Sequence, residues 1–347
     1  MLKILTYFKI KNITIKNRLI LSPMCMYSAN KNGLANEFHY AHYLTRAYGG
    51  CGLIIQEATA VSPGGRISEN DLGIWDDMHI SALSDIVGKL KKLGVTPGIQ
   101  IAHAGRKSET KGKIIAPSPI KFSNNYQTPE EMTKADIRQT VENFKKAFIR
   151  AKKCGYEIIE IHSAHGYLLN QFLSPITNKR TDEYGGESYE NRFRIVDEII
   201  RSIREIDSDT PLSIRFSADE YIEGGNNIED TVIFSKMAKE AGIDIIDVSS
   251  GGVSEEQVLN VYPGYQIKYS QKIKESVNIP TIAVGLITTI EQAEEILGNN
   301  RADFIAMGRR LLIDPYFLLK ETKKHNLELA KSIFPEQYKR AIEIEYL

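Results

Sequence analysis

The stretch IEDTVIFSKMAKEAGIDIIDVSSGG, residues 228–252, decides the fold. It reads as a helix over Ile228–Ala241, a glycine stop at Gly242, a short apolar strand over Ile245–Ser249 and a polar, glycine-rich end. The same order recurs along the chain. Strand-like segments fall at Leu19–Ser22, Leu53–Glu57, Gly98–His103, Ile158–Ser163, Leu212–Ser217, Ile245–Ser249, Thr281–Val284 and Phe304–Met307, eight in all. They are short and nearly continuous in apolar character, as strands covered on both faces should be. Helical spacing marks Asp77–Leu93, the run from Thr133 to Lys153, Glu190–Ile206, Ile228–Ala241, Gln266–Val277 and Thr289–Leu297. Thr133 and Asp136 occupy capping-box positions. Gly94, Gly155, Gly242 and Gly298 stand where a left-handed residue after a helix is wanted.

Eight β units separated by helices predict the α/β class and a single (β/α)8 TIM barrel. A doubly wound sheet would carry G-x-G-x-x-G after an early strand, and the sequence has none. No internal repeat or linker divides the chain, so 1–347 reads as one domain. Its 347 residues exceed a typical ~250-residue barrel by about 97. The surplus falls in an N-terminal cap (1–18), long loops after strands 3 (104–132), 4 (164–189) and 6 (250–265), and a tail (327–347). A hydrophobic content of 42% excludes a disordered chain. Lys+Arg and Asp+Glu are both 44, so the basic excess of a nucleic-acid binder is missing. Three scattered cysteines, Cys25, Cys51 and Cys154, suit neither a disulfide framework nor an iron–sulfur ligand set. No apolar run approaches membrane-span length, and Lys and Asn interrupt the first 19 residues. A cytoplasmic protein without nucleic-acid or membrane partners is expected.

In such a barrel the chemistry collects where the strands end. Those ends hold Ser22-Pro-Met-Cys25-Met-Tyr27, Glu57-Ala58-Thr59, His103-Ala-Gly-Arg106-Lys107, His162-Ser-Ala-His165-Gly-Tyr167, Ser249-Ser-Gly-Gly252, Gly285 and Gly308-Arg309, with Gln100 and Arg215 inside strands 3 and 5. The loops after strands 7 and 8 are the usual barrel phosphate site. Gly285 and Gly308 let backbone N–H groups approach a phosphate and Arg309 adds a forked donor, against the plainer reading of a turn and a surface charge. His162 and His165 admit three readings: metal ligands, which need further partners; ordinary satisfied histidines; or two N–H donors aimed at one substrate oxygen. Tyr167 adds a weak acid able to protonate carbon. Cys25 alone reads as a buried thiol or, less directly, as a nucleophile. Spacing does not decide whether Tyr27 faces core or substrate.

Together these segments resemble the old yellow enzyme family of flavin-dependent ene reductases, in its thermophilic-like bacterial NADPH dehydrogenase branch. The likeness rests on Asn17–Tyr27, Gln100–Lys107, Glu160–Pro175, Arg180–Gly186 with Glu190-Asn-Arg192, and Ala302–Arg309. It runs in order over almost the whole chain, and the 160–192 block is its most specific part. The resemblance implies FMN at the top of the barrel, with NADPH as hydride donor. Ser22, Pro23, Met24 and Cys25 would line the flavin, and Ala58 and Gln100 would contact its ring. Arg215 would sit at the pyrimidine end, in keeping with a lone Arg in an apolar strand wanting an anionic partner. Gly285, Gly308 and Arg309 would hold the phosphate. His162 and His165 would hold a substrate oxygen, Tyr167 would donate the proton, and Tyr27 would touch substrate. Ser163 stands where Ala is common. Gln337-Tyr-Lys-Arg340 resembles an element whose Arg reaches a neighbouring subunit's site, which implies a homodimer or homotetramer. The implied reaction is reduction of the C=C bond of α,β-unsaturated aldehydes and ketones, with nitroesters and nitroaromatics as further substrates and detoxification as a role. No metal is implied. The rival readings are a metal-dependent barrel hydrolase using His162 and His165, and a non-catalytic flavin-binding protein.

Overall fold

The computed structural model describes residues 2–342; Met1 and the last five residues of the expected tail lie outside them. Eight parallel strands close a barrel: β1 (Leu19–Leu21), β2 (Leu53–Ala60), β3 (Thr96–Ala102), β4 (Ile158–Ser163), β5 (Leu212–Ser217), β6 (Ile245–Ser249), β7 (Thr281–Ala283) and β8 (Phe304–Met307). β8 pairs back onto β1, with Ile305 opposite Leu19 and Met307 opposite Leu21. The longer helices among the described residues are α1 (Glu37–Tyr48), α2 (Ile80–Lys92), α3 (Lys134–Cys154), α4 (Tyr189–Arg204), α5 (Ile228–Ala241), α6 (Ile267–Val277), α7 (Ile290–Gly298) and α8 (Phe317–His325). The expected TIM barrel is therefore present, in the α/β class. No helix among the described residues is long and apolar enough to cross a membrane.

Local sequence explains the helix ends. Thr133 Oγ1 accepts from the Asp136 N–H at 3.1 Å, and the Asp136 carboxylate accepts from the Thr133 N–H at 2.9 Å. This reciprocal cap starts α3, and Gly155 ends it in a left-handed turn at φ +92°. Gly298 departs from expectation. It lies inside α7, and Asn300 takes the left-handed conformation two residues later at φ +57°. The helix α1 carries no plain apolar stripe, because its buried face is His39, His42, Tyr43 and Ala47.

The barrel interior changes character with height. Its lower part is apolar: Ile20, Leu53, Ile55, Ile158, Ile245, Ile282 and Phe304 form one cluster with Ile10 and Ile15. The last two belong to an antiparallel hairpin, Phe8–Ile10 with Ile13–Ile15, that packs against this cluster. Phe8 meets Phe304 edge-on with ring centres 4.8 Å apart. This is the expected N-terminal cap. Strand side chains repeat every two residues. Stepping up from Ile158 therefore gives Glu160 and His162, and stepping up from Ile245 gives Asp247 and Ser249. Register places Gln100, Glu160 and Ser213 at one level, and His162, Arg215 and Asp247 at the next.

Candidate active site

β4 carries His162 to the mouth of the barrel, and the chain then turns sharply. His165 sits in the left-handed region at φ +59°, which costs a non-glycine residue roughly 1 kcal/mol or more. Three contacts hold it there. Its N–H donates to Ser217 Oγ at 2.8 Å, its carbonyl accepts from Lys107 Nζ at 3.0 Å, and its Nε2 lies 2.7 Å from Ser249 Oγ. Ser217 Oγ in turn donates to the Gly251 carbonyl at 2.7 Å, which ties the ends of β4, β5 and β6 together.

The two imidazoles stand edge to face, with centres 5.2 Å apart, and the Tyr167 ring lies 5.0 Å from that of His162. Burial, aided by the Arg215 charge, pushes both histidines well below their ordinary range, so both are neutral. His162 Nδ1 accepts from the Ala164 N–H at 3.3 Å, which leaves its proton on Nε2. Burial holds the Tyr167 phenol well above its ordinary range, so it keeps its proton. Lys107 Nζ lies 5.0 Å from the centre of that ring. The site thus offers a neutral N–H donor, a second imidazole beside it, and a protonated phenol.

Cys25 and Tyr27 lie on the segment leaving β1. A β-bulge between Gln56 and Thr59 interrupts the ladder of β2 and re-aims Glu57. Its carboxylate accepts the Met26 N–H at 2.8 Å and the Tyr43 hydroxyl at 3.0 Å, which anchors the segment. Burial, with Asp71 and Glu57 nearby, raises the half-buried Cys25 thiol well above its ordinary range, so it is no thiolate nucleophile. Tyr27 is 49% exposed at φ +51°, and burial raises its phenol, so it keeps its proton. Ala58 lies inside β2, which runs three residues beyond its expected end at Glu57.

A cavity of about 170 Å³ opens beyond β7 and β8. Its wall includes Gly285, Gly308, Arg309 and Arg310, with Tyr265 and Gln266 from the start of α6. A Cβ on Gly285 (φ +125°) would come within 3.0 Å of Gln266, and one on Gly308 within 3.0 Å of Met24 Sδ. Ser22 is tied to the same corner by its N–H, which donates to the Met307 carbonyl at 3.2 Å. Four buried guanidinium nitrogens lack a hydrogen-bond partner among the described residues, Nε of Arg215 and of Arg310 among them. Guanidinium groups at the mouth and in this cavity, with donor N–H still free, suit a ligand with an electron-rich ring and a phosphate, as FMN has.

Of the residues singled out by sequence, Ser22–Cys25, Tyr27, Ala58, Gln100, His162, His165, Tyr167, Arg215, Gly285, Gly308 and Arg309 all fall on strands or on the segments just beyond them, at one end of the barrel. Arg340 does not. It is exposed in the 3-10 segment Glu336–Ala341. The metal reading of the histidine pair lacks a completing ligand. Among the described residues one group of three suitable ligand atoms lies close together, Glu291, Glu321 and His325, and it excludes both histidines. Sequence reasoning assigned no role to Lys107, Ser217, Ser249 or Arg310. All four lie at strand ends, but their tasks depend on which strands are neighbours.

A family model described as NADH:flavin oxidoreductase / NADH oxidase matches residues 3–328. The NADPH dehydrogenase of Bacillus velezensis is 51% identical over 340 residues, covering 98% of this chain and 99% of its own. That of Listeria monocytogenes is 49% identical over 342 residues, covering 98% and 99%. Among solved structures, a 2-naphthoyl-CoA reductase superposes with a TM-score of 0.88 at 26% identity, covering 96% of this chain and 53% of its own. Morphinone reductase gives 0.78 at 25% identity, covering 90% and 87%. An old yellow enzyme homologue from Zymomonas mobilis gives 0.80 at 24%, covering 93% of each chain, and attests the fold alone.

Proposed function

The chain belongs to the NADH:flavin oxidoreductase / NADH oxidase family as an old yellow enzyme-type oxidoreductase using FMN and NADPH, and from that premise we propose that it reduces the C=C bond of α,β-unsaturated aldehydes and ketones. Nitroesters and nitroaromatics, which also gather negative charge on oxygen as they are reduced, are further substrates of the same site. The observation that carries the reading is the neutral His162–His165 pair beside a protonated Tyr167.

FMN, when bound, would supply the hydride chemistry, with NADPH as the source of reducing equivalents. Ser22, Pro23, Met24 and Cys25 would line the flavin, Ala58 and Gln100 would contact its ring, and Arg215 would sit at its pyrimidine end. Gly285, Gly308 and Arg309 would hold its phosphate, with Arg310 lining the same cavity. Toward the substrate, His162 Nε2–H and the His165 ring hold the carbonyl oxygen. Their hydrogen bonds strengthen as negative charge collects there. Neutral rings suit this task, because they donate without giving up a proton. Tyr167 passes its phenolic proton to the α-carbon, and Lys107 beside the ring favours the phenolate left behind. Tyr27 contacts the substrate, and Arg340 completes the site of a neighbouring copy in a homodimer or homotetramer. Residues 1–347 act as one domain, in the cytoplasm.

Rapid mixing of the two half-reactions tests this. In Tyr167→Phe, reduction of the bound flavin by NADPH should stay within about twofold of the native rate, while its reoxidation by cyclohexenone should slow by ~10²-fold or more. Equal losses in both halves, or an unslowed enone step, would contradict the assignment.

A further inference from the structure

Below the mouth of the barrel lies a charged group that the proposed chemistry leaves unused. Glu160 and Asp247 are fully buried, and Arg215 is 5% exposed. Arg215 Nε lies 3.2 Å from Asp247 Oδ2, but the contact is not aligned as a hydrogen bond, and neither Asp247 oxygen has a hydrogen-bond donor among the described residues. Glu160 accepts from Gln100 Nε2 and from Ser213 Oγ, each at 2.9 Å. Two carboxylates thus stand behind one guanidinium.

Stability does not account for this arrangement. The layer beneath is filled by Ile158, Ile245 and Ile282, and apolar side chains here would avoid the desolvation that a buried ion pair incurs. A carboxylate placed for stability would accept two or three hydrogen bonds, and Asp247 accepts none. Burial raises both carboxyls, and the Asp247 charge raises Glu160 further, to about 8, so at neutral pH Glu160 keeps its proton and the negative charge beside Arg215 is that of Asp247; Glu160 adds its own only above about pH 8. What Asp247 does have is Arg215, and Arg215 reaches the mouth, level with His162.

We propose that Asp247, backed by Glu160, is a positioning residue for Arg215 that limits the positive charge Arg215 presents to the flavin, and so sets the flavin's reduction potential. The inference rests on Arg215 lying at the flavin, as proposed above. The reduced flavin carries more negative charge than the oxidised one. Positive charge at the site therefore favours reduction, and a carboxylate behind the arginine opposes it. The pair keeps the flavin reducing enough to pass hydride onward once NADPH has loaded it.

The test is the midpoint potential of purified holoenzymes, measured by equilibration with reference dyes, together with FMN affinity. Asp247→Asn should favour the reduced form at least tenfold, ~30 mV upward for a two-electron couple. Glu160→Gln, which preserves shape and the Ser213 contact, should move it about threefold the same way when both proteins are measured at pH 9, where Glu160 is ionised. An unchanged or lowered potential in Asp247→Asn overturns the proposal. Should that variant not fold, an unmoved potential in Glu160→Gln at pH 9 overturns it equally. Arg215→Gln separates the premise from the inference. It should lower both potential and FMN affinity, whereas a variant unaltered in both removes Arg215 from the flavin and the proposal with it. Lowered values there, combined with an unmoved potential in the carboxylate variants, leave Arg215 in place and refute only the role of Asp247 and Glu160.

Discussion

Glu57 shows how one residue joins the scaffold to the chemistry. The β2 bulge turns it away from the ladder, toward the Met26 N–H, the Tyr43 hydroxyl and His39 Nε2, the last 3.8 Å away. Burial lifts its carboxyl from 4.5 to about 7, with Asp71 adding to the rise and the Met26 and Tyr43 hydrogen bonds opposing it. The folded state therefore holds this proton more tightly than the unfolded chain does. Its contribution to stability is full below about pH 4.5 and is lost as pH rises through about 7, on the order of 3 kcal/mol across the window. Glu57→Gln cannot titrate. Urea unfolding at pH 4.5 and pH 8 should show the native protein losing stability relative to the variant by roughly that amount, and a constant gap would refute it. Sequence placed Glu57 at a strand end but gave it no task. The bulge that aims it is a property of pairing with β3, which spacing along one strand does not carry. His162, His165 and Tyr167 were legible because their position at the end of β4 and just beyond it already marks them. Ser217 and Ser249 were not, because they act on His165 from two other strands.

At the scale of elements, what the sequence shows and what it hides follow from side-chain type. Thr133–Asp136 announces α3 by local chemistry alone, and the reciprocal cap forms as expected. The helix α1 is hidden because histidine and tyrosine occupy the positions that an apolar count would seek, and these residues are modest helix formers. Asn36 and His39 supply its cap instead, the Asn36 N–H donating to His39 Nδ1 at 3.1 Å. Two substitutions separate elements that only hold the barrel together from those that hold the cofactor. Thr133→Ala should cost about 1 kcal/mol of stability, read by urea unfolding, and leave FMN affinity unchanged. Gly285→Ala places a Cβ within 3.0 Å of Gln266 at φ +125°, a conformation alanine resists. It should weaken FMN binding at least tenfold, measured by titrating the apoprotein. Tight FMN binding by that variant would take the turn after β7 out of the phosphate site.

For the whole molecule, the surplus over a bare barrel is distributed by end. The hairpin Phe8–Ile15 packs against the apolar interior at the end away from the chemistry, and the loops after β3, β4 and β6 converge on the site, where Lys107, His165 and Gly252 touch. The described part of the tail docks by its aromatic side chains: the Tyr338 ring lies 6.0 Å from Tyr48 and 6.0 Å from Tyr316. Arg340, two residues on, is exposed, and its proposed role in a neighbouring site needs a second copy. Hybrids distinguish the two arrangements. Arg340→Ala should slow enone reduction, and Tyr167→Phe should nearly abolish it. A hybrid of the two variants, purified through two affinity tags, contains a protomer with native Tyr167 next to one with native Arg340. If Arg340 serves the neighbouring copy of a two-fold assembly, one site per pair is intact, and the hybrid should recover roughly half the native rate. If Arg340 serves its own chain, no site is intact, and the hybrid should show only the mean of its parents. A monomeric enzyme would yield no hybrid, and the tail would then have to act, if at all, within its own chain.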